Sequence, residues 1–232
     1  MKMALAHSPK IVTDNLALLL DAGNIKSYPG TGTAWSDLSG NGYNVTLVNG
    51  PVYNSADGGS IDFDGTNDYG IINDVIVSSP TALSIGGWFK HNGSGSNFEM
   101  VLHHGETTAV GSSRYFFGLS DTDNITATIG AITVGWEAGE TTTIATLDTW
   151  YFVTATWDGT TVRVYINGNF IKQYSLASYS NITTPTRIGS SGSGTGYSMN
   201  GSISDVFIYT NKALTPEEIN INFNALRGRY GI

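Results

Sequence analysis

The 232-residue chain has no cysteine, only 6 prolines, and charged residues at 13%, about half the ~25% usual for globular chains. Without cysteine there is no disulfide framework, no thiolate zinc site and no cysteine nucleophile. Eleven Lys and Arg stand against nineteen Asp and Glu, a formal charge of −8. The bases are scattered, and neutralising phosphates needs them clustered, which argues against a nucleic-acid partner. No apolar run approaches the ~20 residues of a membrane-spanning helix, so no membrane insertion is expected. The run Leu16 to Leu20 is also shorter than the ~7 residues of a signal-peptide core, and the sequence reads as cytosolic synthesis without export.

What the chain does contain is glycine, 29 residues, with abundant Ser, Thr and Asn beside 40% hydrophobic residues. That mixture suits short strands joined by tight turns, and the length fits one all-β domain. Residues 1–14 read as an N-terminal arm, and 15–232 as the domain. Apolar or alternating runs at Asn15–Ala22, Tyr43–Val48, Ser60–Phe63, Thr66–Ile72, Leu83–His91, Phe98–His104, Arg114–Ser120, Ile125–Ile129, Ile132–Trp136 and Thr141–Leu147 are bounded by turn residues. This spacing marks a sandwich or barrel.

Trp150–Trp157, Thr161–Ile166 and Asn169–Tyr174 predict a three-stranded meander. Its turns, Asp158-Gly159 and Asn167-Gly168, fit type I′ geometry. Val162, Val164 and Ile166 share one face, so Arg163 and Tyr165 point to the other. One helix is expected: Thr215 caps it, Pro216 opens it, Glu218 completes a capping box, and Gly228 can end it.

Phe63-Asp64-Gly65-Thr66-Asn67-Asp68-Tyr69, Leu83–Lys90, Trp150–Ile171, Arg187–Ser190, Asn200–Val206 and Leu214–Ile219, in this order, resemble the laminin-G-like branch of the concanavalin A-like lectin/glucanase superfamily. The resemblance covers about residues 16–227 and implies a jelly roll of two antiparallel sheets with the short C-terminal helix packed against it. The segments LALLLDAGN and SYPGTGTAWSDLSGNGYNVTLVNGP resemble stretches of tailed-bacteriophage virion structural proteins.

The superfamily includes glucanases, whose retaining mechanism needs two carboxylates ~5.5 Å apart. In the enzymes these come from an E-x-D-x-x-E strand. None of Glu99, Glu106, Glu137, Glu140, Glu217 and Glu218 begins that pattern, so no enzyme is expected. No G-x-S-x-G elbow is present. His103 and His104 are adjacent and would point to opposite faces of a strand, which suits one buried, hydrogen-bonded ring and one exposed ring. The resemblance also raises calcium as a cofactor, since some relatives bind it on edge loops. Asp62, Asp64, Asn67 and Asp68 are the candidate ligands, with Asp121, Asp123 and Asn124 as a second loop.

For sugar stacking, Trp35, Tyr115, Trp136 and Tyr197, with Tyr43, lie in or beside expected loops; Trp88, Trp150 and Trp157 read as core. The reading that unites these points is a non-enzymatic virion component, a capsid decoration or fibre protein synthesised in the host cytoplasm. Its partners would be capsid or tail proteins, host-surface glycans and further copies of itself. The basic tail, Arg227, Arg229 and Tyr230, would dock on an acidic capsid. A free cellular, extracellular lectin module is the alternative, and a glycoside hydrolase the third reading.

Overall fold

Period-two alternation, cut by Gly, Asn and Asp, builds an all-β molecule in the computed structural model, which describes residues 10–93, 98–105, 115–130, 138–179, 184–192 and 197–232. In chain order the strands begin with β1 (Leu16–Asp21), β2 (Ala34–Trp35), β3 (Val45–Val48), β4 (Val52–Asn54), β5 (Ser60–Asp64), β6 (Tyr69–Ile72), β7 (Leu83–His91) and β8 (Glu99–His104). They continue with β9 (Tyr115–Leu119), β10 (Asn124–Ile129), β11 (Glu140–Ile144), β12 (Trp150–Trp157), β13 (Thr161–Ile166), β14 (Asn169–Ser175), β15 (Thr186–Ile188) and β16 (Asn200–Thr210). Helix α1 (Pro216–Leu226) follows. The expected strand at 132–136 lies outside the described residues.

Two eight-stranded antiparallel sheets stack face to face. The first runs β14-β13-β12-β7-β16-β5-β4, and β1 joins β16 beyond β5. The second runs β11-β10-β9-β8-β15-β6-β3-β2. This is the jelly-roll sandwich expected, with its core between the sheets: Leu18, Ile61, Phe89, Leu102, Phe117, Val153, Val164 and Ile203 are buried there. Each such side chain contributes about 1.5–3 kcal/mol by leaving water.

The meander forms in the expected register, with Ala155 opposite Val164. At its second turn both Asn167 (φ 50°) and Gly168 (φ 80°) occupy the left-handed region, as a type I′ turn requires. The first turn departs from expectation. Only Gly159 has positive φ (96°), and the Asp158 carboxylate accepts from the amides of Thr160 and Thr161. A side-chain acceptor closes that loop in place of a two-residue turn.

The outer face of the first sheet is apolar, and Trp88, Phe152, Tyr165, Phe207 and Tyr209 form a second buried cluster there. Helix α1 covers it with Ile219 and Phe223, the latter stacked on Trp88 at 5.5 Å. The capping box at Thr215 and Glu218 is present. The helix ends at Leu226 and tightens into a 3-10 turn over Arg227–Arg229, so Gly228 does not serve as a left-handed cap.

The basic tail is not free to dock elsewhere. Arg229 donates to both oxygens of Asp21, at 2.7 and 3.0 Å, and Arg227 lies over the Phe223 ring. The Tyr230 ring sits 4.3 Å from Trp88 and 4.6 Å from Trp150, and its hydroxyl donates to Ser204 Oγ. Beneath lies Asp205, whose carboxyl burial raises well above its usual range, with Asp21 adding to the rise and Arg229 opposing it. From the arm, Val12 is held too: its N–H donates to Asn222 and its carbonyl accepts from the Tyr209 hydroxyl.

Replacing Arg229 with Ala strands Asp21 and the buried Asp205 without their cation. Chemical denaturation is expected to show a loss of about 1.5–3 kcal/mol, the usual worth of hydrogen bonds to a charged group. An unchanged midpoint would mean the tail is not fastened.

Candidate functional site

With the first sheet's outer face covered, the second sheet's outer face is the other broad surface. Parity assigns its residues. Thr186 and Ile188 of β15 point into the sandwich, so Arg187 points out. The register continues that row straight across: Thr46, Ile71, Arg187, His103, Phe116 and Thr128 are successive cross-strand neighbours. Tyr69, two residues before Ile71, shares the face. The row is graded: Thr46 is exposed, Tyr69, Ile71 and Arg187 are half-buried, and His103 and Phe116 are fully buried.

Two contacts give this face its chemistry. The Arg187 guanidinium carbon lies 4.4 Å from the centre of the Tyr69 ring, a stacked cation–π pair. His103, beside Arg187, has its pKa pushed down to about 3, by burial first, then by His104 and Arg187. The imidazole is therefore neutral at ordinary pH and adds no charge to the row. An aromatic ring, a planar cation and a hydroxyl at Thr46 are groups that receive a hydroxylated, ring-shaped ligand.

The sugar-stacking candidates from the sequence fare differently. Trp35 and Tyr115 are fully buried, correcting the expectation of exposure. Trp35 belongs to β2 and faces the core, while Tyr115 stacks on His104 at 4.7 Å and meets Thr186 between the sheets. Tyr197 is half-buried, set edge-on against Phe98 and packed beside Met100 and Phe116 on the same outer face. Trp136 lies outside the described residues. Tyr43 packs on the inter-sheet core. Both histidines are buried, on opposite faces, where one was expected in solvent. The residues that sequence reasoning passed over as site residues are Tyr69 and Arg187. The signal was there, because Gly70 and Ile72 alternate with Tyr69 and Ile71.

The calcium candidates do not converge. Asp62 accepts from Asn54 and Ser60 on the first sheet. Asp64 accepts from the amides of Thr66 and Asn67, and Asp68 accepts from the amide of Asp64. These carboxylates close a turn. Burial, then the nearby Asp64, raises the Asp68 carboxyl above its usual range. Among the described residues no three acidic or histidine side chains gather for a metal ion.

Two other polar features bear on function. A shallow groove of about 280 Å³ lies beside the start of α1, lined by Thr156, Asp158, Arg163, Tyr165, Thr215 and Pro216. There Arg163 and Asp158 satisfy one another at 2.6 Å, and the guanidinium holds Asp158 far below the usual carboxylate range. At one end of the sandwich, His91 of the first sheet meets Glu99 of the second at 3.2 Å, with Nε2 3.7 Å from Asp123. Both His91 and Glu99 are buried, and Glu99 also accepts from the Asn200 amide.

These features define a jelly-roll β-sandwich with one outer face sealed and a polar–aromatic strip on the other. The chain belongs to the concanavalin A-like lectin/glucanases superfamily, whose laminin-G-like family profile matches residues 64–220. No curated protein sequence matches it significantly. Among solved structures it resembles domain 4 of AbnA, a GH43 extracellular arabinanase from Geobacillus stearothermophilus, in complex with arabinotriose. Identity is 17% and TM-score 0.69, over 90% of this chain and 98% of that one. It also resembles the binding domain of Paraclostridial Mosquitocidal Protein 1, at 18% identity and TM-score 0.66, over 92% of this chain and 52% of that one. Trypanosoma rangeli sialidase matches at 14% identity and TM-score 0.65, over 94% of this chain. This chain thus spans about half of the toxin binding domain and 34% of the sialidase. At these identities the likeness is one of fold.

Contact with Glu99 raises the His91 pKa, burial opposes it, and Asp123 and Asp148 add to the rise. A raised folded-state pKa makes the contribution complete below the unfolded value of about 6.5, and it fades as pH rises through the folded value. Urea unfolding at pH 5.5 and 9 is therefore expected to show a larger drop for the native chain than for His91→Gln. Parallel pH profiles would remove His91 as the cause.

Proposed function

We propose that the chain is a non-enzymatic carbohydrate-binding module, carried as a structural component of a tailed-bacteriophage virion and turned outward to touch host-surface glycans. The single observation that carries the binding reading is the half-buried Tyr69–Arg187 pair on the outer face of the second sheet. An aromatic face packs against sugar C–H groups, and a guanidinium donates to hydroxyl or acidic oxygens. Membership of a lectin/glucanase superfamily supports this. So does the company of the fold: one similar domain was solved with arabinotriose, and another is a toxin's binding domain.

The non-enzymatic part rests on how the glutamates are engaged. Glu99 is paired with His91, Glu140 accepts from Asn124, and Glu218 caps α1 while pairing with Lys212. Each of these three is committed to structure and Glu217 stands exposed in the first turn of α1, whereas glycosidic cleavage needs two carboxylates opposed across a substrate. Glu106 and Glu137 lie outside the described residues. The virion setting rests on the resemblance of the stretch from Leu16 to Pro51 to phage structural proteins.

A glycan array is expected to yield binders, and Tyr69→Ala to weaken the best of them about tenfold, near the 1.4 kcal/mol of one stacking contact. An array without a hit counts against the binding reading. Proteomics of purified particles is expected to find the chain among virion proteins. Its absence there would remove the setting and leave the module.

A further inference from the structure

Four of the cationic side chains are matched by a carboxylate. Lys90 pairs with Asp57, Arg163 with Asp158, Lys212 with Asp14 and Glu218, and Arg229 with Asp21. Arg187 is different. None of the ion pairs among the described residues includes it. Its Nη1 is buried without a hydrogen-bond partner, while the residue as a whole keeps partial exposure, through which a ligand reaches the guanidinium. A charged donor left so is costlier than a neutral one.

The neighbours do not relieve it. Across the sheet Arg187 is flanked by Ile71, which is apolar, and by His103, which burial keeps neutral. The Tyr69 ring lies against one side of the guanidinium. What would complete this geometry is an acceptor carrying negative charge, on a ligand able to lie over Tyr69. We propose that the saccharide recognised on this face is anionic, with its carboxylate or sulfate group seated on Arg187. The inference rests on the binding reading above and narrows it to one ligand class.

Calorimetric titration tests it with four probes: a galacturonic-acid oligosaccharide, the same oligosaccharide after carboxyl reduction, a sulfated neutral oligosaccharide, and its unsulfated parent. Binding is expected for at least one anionic probe, with its neutral counterpart weaker by about tenfold or more, the worth of a charge-assisted pair. The two anionic arms tell carboxylate from sulfate. Arg187→Gln is expected to abolish the preference for the anionic probe, and Arg187→Lys to retain part of it.

Equal affinity for anionic and neutral partners would overturn the inference and leave the binding reading standing. No binding of any probe, together with an empty glycan array, would overturn both. Melting temperature without ligand provides a readout independent of binding. Removing an unpaired buried donor is expected to leave Arg187→Gln as stable as the native chain or more so. A loss of several degrees would show Arg187 to be structural and overturn the assignment.

Discussion

The stacking of Phe223 and Tyr230 on Trp88 is the constraint from which the rest of the molecule follows. A two-sheet sandwich buries its inner faces without help, but each sheet still has an outer side. On the first sheet that side carries Trp88, Phe152, Phe207 and Tyr209, far too much apolar surface to leave in water. Helix α1 and the tail exist to cover it. The tail is fixed by polar contacts as well, through Arg229 on Asp21 and Tyr230 on Ser204. Once that side is sealed, the surfaces left are loops, edges and the second sheet, whose row ends in exposed Thr46.

The same economy governs the acidic residues. A chain at −8 with few bases would be expected to repel itself, yet its carboxylates are placed where backbone donors need acceptors. Asp37 is the clearest case: it accepts from the amides of Leu19, Ser39, Gly42 and Tyr43, tying β1 to the loop before β3. Asp64 and Asp158 do the same at their own turns. Negative charge here is largely turn chemistry. In the Asp62–Asp68 loop, too, each of the three carboxylates accepts at least one hydrogen bond from the chain.

Much of the fold was legible in the sequence, because its signals were local. Period-two runs, the Asn-Gly turn and the capping box at Thr215 each specify their structure within a few residues. Trp88, Trp150 and Trp157 were readable as core, although the sequence did not reveal that Trp157 lies between the sheets while Trp88 and Trp150 lie beneath the helix and tail. Site residues were harder. Exposure of Trp35 and Tyr115 was inferred from nearby turn residues, but short strands begin immediately beside turns, and both side chains face inward. The closeness of Tyr69 and Arg187 comes from strands β6 and β15, separated by more than a hundred residues of chain. β15 has only three residues, too few for periodicity to announce.

That short central strand also explains how the sheet holds an uncompensated cation. β15 is hydrogen-bonded on both sides, to β6 and β8, which fixes the Cα of Arg187 and the face from which its side chain leaves. The Tyr69 ring limits the guanidinium from one side, and the buried His103–Phe116 pair walls the row beyond it. A flexible surface arginine would simply turn into water and lose nothing. Here the backbone sets where the side chain starts, the Tyr69 ring flanks the guanidinium, and Arg187 as a whole keeps partial exposure. A group pre-set in this way gives up little entropy when an acceptor arrives, so the cost carried by the free protein becomes affinity in the bound one. Lys90, Arg163, Lys212 and Arg229 are matched by carboxylates within the chain, whereas Arg187 takes part in none of the ion pairs among the described residues.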